Sequence, residues 1–149
     1  GAFTPPRRWR RHAGATPTTH DLPSSAGWAE GRDIAWRLGL HDAPPGALQA
    51  TPQWRERQAD AARLRRAFRG EGIDSGDLRM DALRFTARSP AVLALLPAED
   101  ALGLREQPNL PGTTDSHPNW RRRLPDPLPE AVLDASLQAF AQARREVAP

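Results

Sequence analysis

His20-Asp21 places a carboxylate beside an imidazole, a pairing able to hold sugar hydroxyls, a metal ion or a proton in transit. The same residues also serve in ordinary turn or helix-capping chemistry, and the dipeptide alone leaves both readings open. It recurs as His41-Asp42 inside a Pro/Gly-rich break, where a solvated turn is expected. The second chemistry-bearing stretch is 109–123, Asn-Leu-Pro-Gly-Thr-Thr-Asp-Ser-His-Pro-Asn-Trp-Arg-Arg-Arg. Pro111, Gly112 and Pro118 forbid a regular helix or central strand there, yet the run carries Asn109, Asn119, Trp120 and a basic cluster. Loops of this composition on rigid neighbours are where binding sites concentrate. Trp120 either stacks on a ligand ring or plugs the loop against the body. Arg121, Arg122 and Arg123 either pair with an anion or face solvent.

Other chemistries find little support. The histidines that would complete a metal site with His20-Asp21, namely His12, His41 and His117, all fall in expected loops. There is no Gly-x-Ser-x-Gly elbow, no phosphate-cradling Gly-rich loop, and no Cys to serve as thiolate, disulfide or zinc ligand. No metal and no cofactor are expected.

The elements that must position these residues follow from periodicity and punctuation. Residues 1–11 read as an irregular lead-in and 13–19 as a short strand, in which Pro17 would need a bulge or an unpaired position. Ser24 or Ser25 caps a helix over 26–38, with Trp28, Ile34, Ala35 and Leu38 at helical spacing. Thr51-Pro52 opens a second helix, whose Trp54, Ala61, Leu64 and Phe68 form an apolar stripe. Asp74 or Ser75 opens a third, with Leu78, Ala82 and Phe85, ending before Pro90. The stripes are core. Ala-Val-Leu-Ala-Leu-Leu at 91–96 suits a strand buried on both faces, as in a parallel sheet. A helical turn over 98–104, the loop and an amphipathic helix over 130–147 complete the chain. Two strands cannot make a sheet buried on both sides, so the 91–96 run asks for more strands than these residues offer.

Bulk composition narrows the partners. The 149 residues hold 38% hydrophobic and 6% aromatic residues, with 16 Pro and 11 Gly, a lean supply of core. Net charge is +3, and all 21 basic residues are Arg, interspersed with acids as in Arg55-Glu56-Arg57. That pattern looks like a composition bias and argues against a nucleic-acid surface. No apolar run is long enough to span a membrane and no secretory signal is visible, so a cytoplasmic protein is expected.

Five blocks then stand in an ordered series. They are Thr19-His20-Asp21-Leu22-Pro23-Ser24, Gly27-Trp28, Asp100-Ala101-Leu102-Gly103-Leu104, Gln107-Pro108-Asn109-Leu110-Pro111-Gly112-Thr113 and His117-Pro118-Asn119-Trp120-Arg121. Together they resemble the carboxyl-terminal third of 4-alpha-glucanotransferase, the amylomaltase or disproportionating-enzyme family. The family usually shows Thr where this chain has Ser24, which keeps the capping hydroxyl, and Pro17 is the less expected departure.

The resemblance implies an α/β chain forming about the seventh and eighth strand units of a (β/α)8 barrel, mostly helical with two or so short parallel strands. In that frame 13–38 is strand seven with its helix, 51–88 carries helices, 91–96 is strand eight, and 105–124 is a loop on the active-site face. It further implies transfer of α-1,4-glucan segments between maltooligosaccharides by a retaining carboxylate mechanism. Asp21 would be the transition-state stabiliser, and His20, Asn109 and Trp120 would bind substrate. The nucleophile and acid/base would lie upstream of these residues, so the chain alone is expected to be inactive. A truncated barrel is also expected to self-associate through its broken edge or to rearrange. The alternative is a non-catalytic helical domain that binds glucan or a partner protein.

Overall fold

The structure is a computed structural model that describes residues 3–44 and 46–147. Its elements run β1 (Gly14–Ala15), α1 (Ser25–Glu30), α2 (Arg32–Arg37), α3 (Pro52–Gly70), α4 (Leu78–Ala87), β2 (Leu93–Ala94), α5 (Ala98–Leu102) and α6 (Glu130–Arg145). β1 and β2 pair in parallel, Gly14 opposite Leu93 and Ala15 opposite Ala94. The ladder is carried outward by Val92 N–H to the Arg11 carbonyl and Leu95 N–H to that of Ala15, both at 2.8 Å. Helices α1 to α4 form the connection between these two strands, as a parallel pairing requires. Pro17 lies beyond the end of β1 and disturbs no ladder bond.

Helices α3 and α4 start where side chains can satisfy the first free N–H groups. Thr51 accepts from Trp54 N–H at 3.2 Å, with Pro52 at the first helical position. Asp77, two or three residues later than the expected Asp74 or Ser75, accepts from Arg79 and Met80 N–H and caps α4. Ser75 is instead held by Asp81, which takes both its N–H and its hydroxyl. The apolar stripes meet as expected: Ala61, Phe68, Ile73, Leu78 and Phe85 form the buried cluster, flanked by Trp9, Trp28 and Leu64. Phe68 and Phe85 lie 5.1 Å apart, and Trp9 meets Phe85 edge-on at 6.0 Å. Burying one such ring contributes about 2–3 kcal/mol.

Several expectations change: the strand over 13–19 shrinks to Gly14–Ala15, and the helical turn over 98–104 ends at Leu102, before Gly103 takes a left-handed conformation. The helix over 26–38 is two helices, because Gly31 takes φ 70° between them. A Cβ there would stand 2.9 Å from Leu48 and Trp54, so close packing and backbone conformation both demand glycine. The 91–96 strand shrinks to Leu93–Ala94 and is not buried on both faces. Ala91 is buried, but Val92, Leu93 and Leu95 are 60%, 53% and 48% exposed. Among the described residues only β1 flanks β2, which leaves the other edge and the facing side uncovered. The last helix ends at Arg145 rather than 147, where Glu146 turns to pair with Arg88.

Helix α6 packs on α4 through the small buried residues Ser136, Ala139 and Ala143. Arg144 donates to the Ser89 and Ala91 carbonyls and so fixes the entry to β2. Among the described residues no helix is long and apolar enough to cross a membrane. None of their His, Asp and Glu residues gather into a group of three that could hold a metal.

Candidate functional site

The site lies where the segments leaving β1 and β2 meet. Beyond β1 the chain turns over 19–22, closed by Leu22 N–H to the Thr19 carbonyl at 3.0 Å, and lifts His20 and Asp21 into solvent. Both side chains are half-exposed, at 59% and 51%. The turn is clamped at its two ends by one fully buried carboxylate, Asp100 in α5. Asp100 accepts the Thr18 hydroxyl on one side and Ser25 N–H, at 2.7 Å, on the other. Ser24 caps α1 by accepting Gly27 N–H at 3.1 Å, and its hydroxyl donates to the Leu104 carbonyl. Gly27 can have no side chain, since a Cβ would fall 2.0 Å from the Arg105 carbonyl oxygen.

The loop after α5 brings its own residues to the same place. Asn109 Nδ2 donates to Asp21 Oδ1 at 2.6 Å. His20 Nε2 stands 3.5 Å from Asp21 Oδ2, and the Trp120 ring lies 5.2 Å from the His20 ring, tilted by 46°. All four residues singled out in the sequence, His20, Asp21, Asn109 and Trp120, therefore share one surface. It offers a carboxylate, an amide, an imidazole and an indole face, the mix that holds a polyhydroxylated ring by hydrogen bonds and stacking.

Trp120 stands out in its backbone. Its φ of 60° is the only positive value at a non-glycine among the described residues, and the residue is 65% exposed. A left-handed conformation costs about 1–2 kcal/mol for a residue with a Cβ, so the surroundings must impose it. They do so through Trp120 N–H to the Pro108 carbonyl at 2.9 Å and Arg121 N–H to that of Pro118 at 3.2 Å. Trp120 does not plug the loop.

The rest of the expected chemistry is structural. Arg122 turns inward, 3.7 Å from Glu106 and 5.8 Å above the Trp36 ring, while Arg121 and Arg123 face solvent. The His41-Asp42 turn is only half solvated: Asp42 is open, but the His41 ring stacks on Trp36 at 3.8 Å. His117 is buried against the edge of the same indole at 4.8 Å. Sequence reasoning left Asp100 without a role, and no local signal gives it one, because its partners lie 75 and 82 residues away.

Glu106 braces this loop from below, accepting from Arg32 Nε and Trp36 Nε1, each at 2.7 Å. Burial by itself would raise its pKa. The hydrogen bonds from Trp36 and Arg32, with the charges of Arg32 and Arg122, outweigh burial and hold the carboxyl below its ordinary 4.5. A depressed folded-state pKa stabilises the fold above the unfolded value, and the gain disappears as pH falls through the folded one. The stability advantage of wild type over Glu106→Gln should therefore be full near pH 6 and shrink steadily below 4.5. Thermal unfolding of both proteins across that range checks this, and a gap independent of pH refutes it.

Comparison with known proteins agrees with the geometry. A family model described as 4-alpha-glucanotransferase matches residues 1–129. The chain is 37% identical over 138 residues to the 4-alpha-glucanotransferases of Mycobacterium bovis and Mycobacterium tuberculosis, covering 89% of this chain and 19% of theirs. It thus spans about a fifth of the length of the curated relatives it matches. The amylomaltase of Corynebacterium glutamicum superposes with a TM-score of 0.69 at 27% identity, over 96% of this chain and 23% of that one. With the family model covering most of its length, the chain belongs to the 4-alpha-glucanotransferase family.

Proposed function

We propose that these residues work within a larger 4-alpha-glucanotransferase that passes α-1,4-glucan segments between maltooligosaccharides with retention at the anomeric carbon. The observation that carries the reading is the Asp21–Asn109 hydrogen bond, which unites the segments following two parallel strands into one polar surface. Sites in (β/α)8 enzymes are built at the carboxyl ends of the strands in this way, and we assign β1 and β2 to the seventh and eighth strand units of such a barrel.

A retaining transfer needs a nucleophilic carboxylate and a carboxylic acid about 5–5.5 Å apart, flanking the scissile bond. As the resemblance to the family implies, we assign the reacting pair to other parts of the enzyme. Asp21 then acts on the sugar undergoing displacement. Its negative charge stabilises the oxocarbenium-like transition state, and its hydrogen bonds to ring hydroxyls tighten as that ring flattens. His20 and Asn109 supply further hydrogen bonds to the same sugar, while Trp120 offers a face for stacking. The apolar, uncovered side of Val92, Leu93 and Leu95 suits the remaining strands of a barrel, and in their absence it would drive self-association.

The test is transfer from maltotriose. A full-length enzyme carrying this chain should release glucose and build longer oligosaccharides, and the 149 residues alone should do neither. Glucose release by the isolated chain above a matched Asp21→Ala control would overturn the assignment of the reacting carboxylates. An inactive full-length protein would overturn the enzyme reading in favour of a non-catalytic glucan- or protein-binding domain.

A further inference from the structure

The four site residues are held by a closed circuit that passes through two residues outside the site itself, Leu110 and Asn119. Asp21 is bonded to Asn109 at 2.6 Å, and Asn109 is followed by Leu110. Leu110 N–H donates to Asn119 Oδ1 at 2.9 Å, and Asn119 is followed by Trp120. The Trp120 ring then meets the ring of His20, which precedes Asp21. Cut the Leu110–Asn119 bond and the circuit opens. A second path runs from the Leu110 carbonyl through Thr113 to Asn119 Nδ2, so it takes removal of the whole Asn119 side chain to leave the Trp120–Pro108 bond as the remaining tie beside the chain itself.

Asn119 is built for this task in a way no other residue of the loop is. Its Oδ1 accepts from Leu110 N–H and from His117 Nδ1 at 2.8 Å. Its Nδ2 donates to the Thr113 carbonyl and the Thr113 hydroxyl, each at 3.0 Å. Its own N–H donates to the His117 carbonyl at 2.8 Å. The amide can stand only this way round, because Leu110 N–H can only donate and the Thr113 carbonyl can only accept. His117 must then carry its hydrogen on Nδ1, and its position is fixed by burial against Trp36. Leu110 is 1% exposed, so the point to which Asn119 is tied is anchored by packing in the interior. The left-handed backbone of Trp120 begins at the very next residue, where the network holds it against its own preference.

We propose that Asn119 is a positioning residue for glucan transfer, setting the distance between the Asn109 amide and the Trp120 ring and so the pose of the sugar over Asp21. It touches no substrate and acts through Asn109 and Trp120. The inference rests on the glucanotransferase reading above. A misplacement of about 1 Å at a reacting centre costs on the order of 10²-fold in rate.

The experiment is a double-mutant cycle in the full-length enzyme, with maltotriose as substrate. Asn119→Ala should lower kcat about 10²-fold, and Asn119→Asp, which keeps the two accepted bonds but puts an oxygen against the Thr113 carbonyl, by less. In an Asn109→Ala background, the same Asn119→Ala change should cost under about twofold, since the geometry it sets is already lost. A purely structural role predicts something else: the full loss in both backgrounds, tracking a lowered thermal transition. That result overturns the proposal, as does an Asn119→Ala enzyme as active as wild type. If Asn119→Ala does not fold, Asn119→Asp is carried through the same cycle and judged by the same criterion. An inactive wild type defeats the parent reading, and this proposal with it; an active wild type with additive losses defeats this proposal alone.

Discussion

Asp21→Asn, in a full-length enzyme carrying this chain, should reduce kcat for maltotriose disproportionation about 10³-fold while the KM for maltotriose changes less than about tenfold. The substitution keeps the size of the side chain and one accepting oxygen, so Asn109 Nδ2 retains a partner at the position now 2.6 Å away. What it removes is the charge. A neutral amide still holds ground-state hydroxyls but gives no Coulombic stabilisation to a ring that becomes cationic at the transition state, so the loss should fall on turnover rather than on binding. Equal losses in kcat and in affinity would mean that Asp21 only binds, and unchanged turnover would remove it from the mechanism. Asn109→Ala should show the milder form of the same effect, because the carboxylate stays in place but loses its hydrogen-bonded support.

Asp100→Ala should give the largest loss of stability at any position near the site, about 3 kcal/mol. The carboxylate is fully buried and takes the Thr18 hydroxyl and Ser25 N–H, so truncation strands the buried Ser25 N–H and leaves the part-buried Thr18 hydroxyl without its partner. Each buried group left without a partner costs about 1–3 kcal/mol, and the void adds to that. For a chain of this size the shift in thermal midpoint would be about 6–12 °C. Asp100→Asn keeps an acceptor for Ser25 N–H and should retain about half of the stability. Denaturation of the variants side by side checks the order, and a loss below about 1 kcal/mol for Asp100→Ala would show that the clamp is dispensable. Because Thr18 and Ser25 bracket His20 and Asp21, the same variant should also lose transfer activity in the full-length enzyme. Fold and site share this one carboxylate.

What the sequence made legible followed from how local each determinant was. Helices α3, α4 and α6 show in apolar spacing, and α3 also in its Thr51-Pro52 opening, because helical periodicity and capping act within a few positions. Gly31 was missed as a break, since a lone glycine inside a helical pattern is usually tolerated. What forces the kink is the packing of Leu48 and Trp54 from elsewhere in the chain. The exposure of Val92, Leu93 and Leu95 runs against their composition: apolar content marks a residue suited to burial but does not supply the neighbour that buries it. At the site, the residues alone left His20-Asp21 between turn and function, and only the ordered blocks assigned roles to it and to Asn109. The contacts that join them could not be read along the chain, for Asp21 and Asn109 stand 88 positions apart. Asn119 was visible only as one of the polar residues the loop carries. The four hydrogen bonds of its side chain became evident only once the turns at Pro111, Gly112 and Pro118 had folded back on it.

The left-handed backbone at Trp120 sets stability against the stacking role proposed for its ring. Glycine at this position would remove the conformational cost of about 1–2 kcal/mol, and an indole 65% exposed returns little burial in exchange. Selection for thermal resistance alone would therefore drift towards Gly or Asn at position 120 and discard the ring that leans on His20. A library screened only by heating would enrich for variants that have lost this ring, so any programme to harden this protein should hold Trp120 fixed and look for its gains elsewhere.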